Sequence, residues 1–73
     1  MSKGNGYNEG DRVEWDWGEG TASGEITQVY TQKQTLTIKG NEVTREASED
    51  EPAYRIDTGD SEALKSHSEV RKA

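Results

Sequence analysis

The side chains best suited to chemistry in this 73-residue chain are its aromatics and its acids, and the chemistry they suit is recognition of a cation. Aromatic faces walled around an ammonium or guanidinium group, with an acid at the rim, attract it through the ring quadrupole. Trp15, Trp17, Tyr30 and Tyr54 could form the walls, and Glu14 or Asp16 the rim. The competing demand is the core. The chain has two Trp, three Tyr and no Phe, and only 27% of its residues are hydrophobic. Each buried aromatic removes about 150–250 Å² from water, so a domain this small needs most of its aromatics inside. Strand alternation points Trp15 and Tyr54 inward. Trp17 falls at a strand end beside Gly18-Glu19-Gly20, where it either plugs the end of the fold or offers an exposed indole. The candidate contact set is therefore Trp17, Asp16, Tyr30, Glu49 and Glu51, with Trp17 first.

Catalytic arrangements are not evident. His67 is the sole histidine and there is no cysteine, whereas zinc takes three or four N, S or O ligands. The expected role of His67 is to pack against or cap the last turn. Glu49, Asp50 and Glu51 are consecutive, so their carboxylates cannot converge as an acid–base pair with a defined separation. The oxygen-rich run Asp57-Thr58-Gly59-Asp60-Ser61-Glu62 lacks the spacing of a twelve-residue calcium loop. Gly18-x-Gly20 precedes a strand and not a helix, so it is no phosphate loop. The expectation is a non-enzyme with no cofactor and no metal.

Charge narrows the partners. The formal net charge is −6, and the segment from Glu42 to Glu62 alone accounts for all of it, with eight acids against two bases. A concentrated negative patch repels phosphate backbones and anionic lipid. A basic protein or peptide is the expected partner, with a merely solvated acidic loop as the plainer alternative. A nucleic-acid-associated domain is the runner-up. It would need a basic face built from Lys33, Lys39, Lys65, Arg71 and Lys72. No apolar run approaches the roughly 20 residues that span a bilayer, and Met1 to Gly6 lacks the apolar stretch of a secretory signal. A soluble, monomeric, cytoplasmic protein is expected.

These side chains must be positioned by short strands. Residues 1–6 read as a disordered leader and residues 7–73 as one domain. From Arg12 to Trp17, Val13, Trp15 and Trp17 alternate with Arg12, Glu14 and Asp16, the period of a half-buried strand. Thr21–Thr31 follows, with Ala22, Gly24 and Ile26 in phase and a slip near Thr27-Gln28 that predicts a bulge. Thr35–Lys39 carries Leu36 and Ile38 and stops at a tight turn placed at Gly40-Asn41, after which Val43 briefly continues the pairing. Ala53–Asp57 enters through Pro52 and carries Tyr54 and Ile56, and Glu62–Lys65 closes with Leu64 inward. Ser66-x-x-Glu69 has the form of a capping box and predicts a short C-terminal helical turn. Five short strands separated by Gly-containing turns predict an all-β fold, a small SH3-like five-stranded antiparallel barrel.

Three pieces in order carry a resemblance: Gly10-Asp11-Arg12-Val13-Glu14-Trp15, Ala47-Ser-Glu-Asp-Glu-Pro-Ala-Tyr-Arg-Ile56, and Ser66-His67-Ser68-Glu69-Val70-Arg71-Lys72. Together they resemble the hypervirulence-associated Tudor-like domain, found in short bacterial and fungal proteins, over about Tyr7 to Lys72. The resemblance implies a Tudor-like barrel and a non-catalytic interaction module. It names no ligand. The chain departs from the family pattern at Trp17, in the length of the Gln32-Lys33-Gln34 tip, and at Ser66 and Ser68, where the family favours a Lys-Pro-like sequence.

Overall fold

A computed structural model of the chain describes residues 6–73. It is all-β, with seven antiparallel strands: β1 (Arg12–Trp17), β2 (Gly20–Tyr30), β3 (Gln34–Ile38), β4 (Asn41–Arg45), β5 (Ala53–Asp57), β6 (Glu62–Ser66) and β7 (Arg71–Lys72). One 3₁₀ turn, His67–Glu69, joins β6 to β7. Of the expected leader, Met1 to Asn5 lie outside the described residues. Gly6 is described, and a Cβ placed on it would stand 3.0 Å from both Pro52 Cγ and the Tyr54 hydroxyl.

The strands form two sheets, and the expected closed five-stranded barrel is not what they make. Five strands run in the order β6-β5-β2-β1-β7, which leaves β6 and β7 as edges. The β3–β4 hairpin is a separate two-stranded sheet that packs beside β6 without sharing its ladder. The fifth strand of the main sheet is β7, which returns the chain to β1 through Glu14↔Arg71 and Val13↔Lys72. Sequence period could not show it, since two exposed residues have no period to read.

The long strand β2 serves two partners. Its first half pairs with β1, from Trp17↔Gly20 to Arg12↔Glu25, and its second half with β5, from Glu25↔Asp57 to Tyr30↔Ala53. Changing partner requires a bend, and the register shift between Ile26 and Gln28 supplies it, with the Thr27 hydroxyl donating to the Arg55 carbonyl at 3.2 Å. The bulge thus stands where the slip in hydrophobic phase placed it. Val13, Trp15, Ile26, Tyr54, Ile56 and Val70 form the core cluster, and Leu64 and Ala53 are buried with them. Leu36 and Ile38, expected inward, are only half-buried, because their hairpin stands apart from the main sheet.

The β3–β4 turn is Lys39-Gly40, one residue earlier than expected, and Ile38 pairs with Asn41 across it. Both turn residues have positive φ, 52° at Lys39 and 83° at Gly40, the conformation of the two-residue turn whose twist matches its strands.

Without a ladder, the hairpin is fastened to the rest of the molecule by side chains. Arg45 on β4 donates from Nε and Nη2 to the two Glu69 carboxylate oxygens at 2.8 and 3.4 Å. Glu69 Oε1 also accepts from the Ser66 amide and hydroxyl at 2.8 and 3.0 Å, fulfilling the cap read from Ser66-x-x-Glu69. Partial burial pushes the Glu69 carboxyl up, but the hydrogen bonds from Arg45 and Ser66 outweigh it and hold the group below its ordinary value. Glu62 is held down likewise, chiefly by Arg55, which donates to it at 2.7 and 3.0 Å.

Depressed carboxylates stabilise the fold above their unfolded-state pKa, and that contribution is lost as pH falls through the lower folded-state value. Acid is therefore expected to loosen the hairpin in the range below about pH 4.5. Glu69→Ala should cost about 1–2 kcal/mol at neutral pH, from a lost cap and a lost partly exposed ion pair. Amide exchange should rise first in residues 34–45. An exchange pattern unchanged by Glu69→Ala would show that the hairpin is held by its apolar face alone.

Candidate functional site

The β3–β4 turn (Lys39-Gly40), the β5–β6 turn (Thr58–Ser61) and the end of β1 at Trp17, just before the β1–β2 turn (Gly18-Glu19), border one groove. The groove has a volume of about 840 Å³ and is lined by Trp17, by residues of the β3–β4 and β5–β6 turns and by the strands behind them. That volume falls within the range of small ligand sites. Trp17, Ile38, Val43 and Leu64 supply apolar lining, and Lys39, Arg45, Lys65, Asp60 and Glu62 supply charge. Trp17 is 70% exposed and is the exposed large hydrophobic residue among those described. It shares a face with Trp15, which is only 4% exposed, but β1 ends at Trp17 and no strand covers it. Of the two expected alternatives, exposed indole and plug, the fold realises the exposed indole.

The remaining candidates do not join it. Asp16 lies on the other face of β1, where it accepts from Arg71 Nη2 at 3.2 Å, next to the Glu14 carboxylate that holds Arg71 Nε at 2.9 Å. Tyr30 stands at the opposite end of β2 from the Trp17↔Gly20 pair, its hydroxyl donating to Gln28 Oε1 at 3.3 Å. Glu49 and Glu51 are exposed in the β4–β5 loop, and Glu51 lines a separate hollow with Arg45, Glu46 and Ser48. Trp15 and Tyr54 are core residues. The four aromatics thus form no cage, because β2 holds Tyr30 away from Trp17 and packing takes the other two.

His67 occupies a structural cluster. Its Nδ1 lies 2.9 Å from the Tyr54 hydroxyl, which also accepts from the Tyr7 amide at 2.9 Å. The Tyr7 and His67 rings stand 5.1 Å apart. Burial, the largest influence, raises the Tyr54 phenol above its ordinary value. Tyr7 was not legible as a packing residue, since it precedes the first strand and belongs to no alternating pattern. Among the described residues no three His, Cys, Asp or Glu side chains are grouped to hold a metal ion. Nor, among the described residues, is any helix long and apolar enough to cross a membrane.

The basic face that nucleic-acid binding requires is reduced by pairing. Arg71 is held by Glu14 and Asp16, and Lys33 Nζ lies 3.9 Å from Glu46.

Compared with known families, the chain matches the description "Hypervirulence associated proteins TUDOR domain" over residues 10–70. The chain belongs to this family. The match spans β1 to the residue before β7 and so includes the core, the hairpin and the two turns that line the groove. Neither curated proteins nor solved structures yield a match. Membership of this Tudor family accords with a small interaction module.

Proposed function

We propose that this Tudor-family chain is a non-catalytic interaction module that binds an extended protein segment in the groove headed by Trp17. One observation carries the reading: an indole 70% exposed at the mouth of a partly apolar groove, in a chain with few aromatics to spend on its surface. Tryptophans in such positions are enriched among the residues that dominate binding energy. The partner as a whole is basic, because the acids between Glu42 and Glu62 give the molecule its long-range field, and such attraction speeds association at low salt.

The Trp15→Phe variant leaves Trp17 as the only indole and tests the site directly. Its emission should be readily quenched by acrylamide, and should become shielded on addition of a binding peptide. Shielding as strong as that of a core tryptophan before any ligand is added would remove the site. A duplex oligonucleotide that shields Trp17, with affinity falling steeply with salt, would favour the nucleic-acid alternative. Association with a basic partner should slow with added salt and with Glu49→Lys and Glu51→Lys. A rate indifferent to both would make the acidic loop only a solubilising surface.

A further inference from the structure

The groove does not share the sign of the molecule around it. The chain carries −6 overall, yet the charged side chains lining the groove are Lys39, Arg45 and Lys65 against Asp60 and Glu62. Two of these five are already neutralised from outside the groove. Arg45 is bound to Glu69 and Glu62 to Arg55. What remains open to a ligand is two ammonium groups, Lys39 and Lys65, and one carboxylate, Asp60. Elsewhere Arg55, Arg71 and Lys33 are also matched by acids. Among the described residues only Arg12, Lys39, Lys65 and Lys72 have no acid within 4 Å, and two of those four line this groove.

Lys39 is not accounted for by the needs of the fold, and Lys65 touches the core without giving up its charge. Lys39 adopts φ 52° in a two-residue turn. That conformation costs a side chain with a Cβ roughly 1–2 kcal/mol, and glycine or asparagine would meet the turn's demand more cheaply. Lysine stands there in spite of the turn. Lys65 sits on β6 with its Nζ 5.8 Å from the centroid of the Trp15 ring, so its ammonium group lies over the aromatic core that forms part of the groove lining. A cation held over an aromatic face keeps its charge and remains able to take a counter-ion.

We infer that the groove selects an extended segment carrying an apolar anchor next to a single carboxylate, the anchor resting on Trp17, Ile38 and Val43 and the carboxylate placed between Lys39 and Lys65. This rests on the proposal that the groove is the binding site. Asp60, on the β5–β6 turn, limits the choice to one acid, since a run of acids would meet it and the acidic surface beyond. The two levels of charge have separate tasks. The acidic surface draws in a basic partner from a distance, and the two lysines decide which stretch of it settles in the groove.

Acetylated, amidated ten-residue peptides with a central leucine, its neighbours set to Asp, Ser or Lys within otherwise varied flanks, test this by fluorescence anisotropy on the full chain. Peptides with one Asp beside the leucine should bind about tenfold tighter than those with Lys there. The double substitution Lys39→Glu and Lys65→Glu, on exposed or half-buried side chains, should reverse the order in a variant that still unfolds cooperatively, at a midpoint lowered by loss of the Lys65 contact with Trp15. Trp17→Ala should abolish binding of both. Preference for Lys, or indifference to the neighbour's charge, in peptides that still require Trp17 overturns the assignment of the lysines alone. Absence of binding by every peptide, or binding that survives Trp17→Ala, overturns it together with the groove itself.

Discussion

Trp15→Ala is expected to leave the domain largely unfolded at room temperature. The indole is 4% exposed and packed in one cluster with Val13, Ile26, Tyr54, Ile56 and Val70. Truncating a buried tryptophan to alanine costs about 3–5 kcal/mol, from lost transfer energy and the cavity left behind. A core of this size rarely leaves more than about 3–5 kcal/mol of net stability, so the loss matches the whole reserve. Tyr54 cannot collapse into the space, since it is committed to Tyr7 and His67, and there is no phenylalanine to do so. Thermal melting followed by far-ultraviolet circular dichroism reads the outcome. A cooperative transition within a few degrees of the parent's would mean that Trp15 does not hold the core together.

Gly24→Ala should be nearly as damaging, for the opposite reason. A Cβ on Gly24 would stand 2.4 Å from the Asp57 carbonyl oxygen and 2.6 Å from Ile56 Cγ2. The nearer atom is backbone and cannot swing aside. This is where β2 leaves β1 for β5, so the added methyl would force apart the two halves of the main sheet. Overpacking of a tight core costs typically about 1–3 kcal/mol, and a backbone clash belongs at or above the upper end. Gly20→Ala is the control. It lies at the start of the same strand with open space around its Cβ, and should change stability little. Urea midpoints of the two variants should differ clearly. Equal midpoints would show that β2 and β5 are not so closely apposed at this crossing.

The two substitutions mark the boundary between what is local and what is not. Trp15 was legible because alternation with Val13 on a six-residue strand needs only neighbouring positions. The bulge at Thr27 and the cap of Ser66 by Glu69 were legible for the same reason, each being written within four residues. Gly24 appeared only as a small residue in phase with Ala22 and Ile26. Its need for an absent side chain arises from β5, more than thirty positions along the chain. The hairpin misled in a related way. Leu36, Ile38 and Val43 carry the period of a core strand, but period does not say which strand will supply the ladder. The structure gives them only each other, and Arg45 to Glu69 supplies the fastening.

The sequence by itself determined the family, an all-β antiparallel chain, the inward face of β1 and β5, the position of Trp17 at a strand end, and an acidic middle segment. Each depends on residue type and short spacing, which chain connectivity preserves however the molecule folds. The tertiary structure alone decided that the sheet stays open between β6 and β7, that Tyr30 lies away from Trp17, and that the groove keeps two free lysines. A side chain's charge is fixed by its type, but its availability depends on which partner the fold brings near. Glu14 reaches Arg71 across 57 positions and Arg45 reaches Glu69 across 24, whereas Lys39 and Lys65 have no acid brought to them.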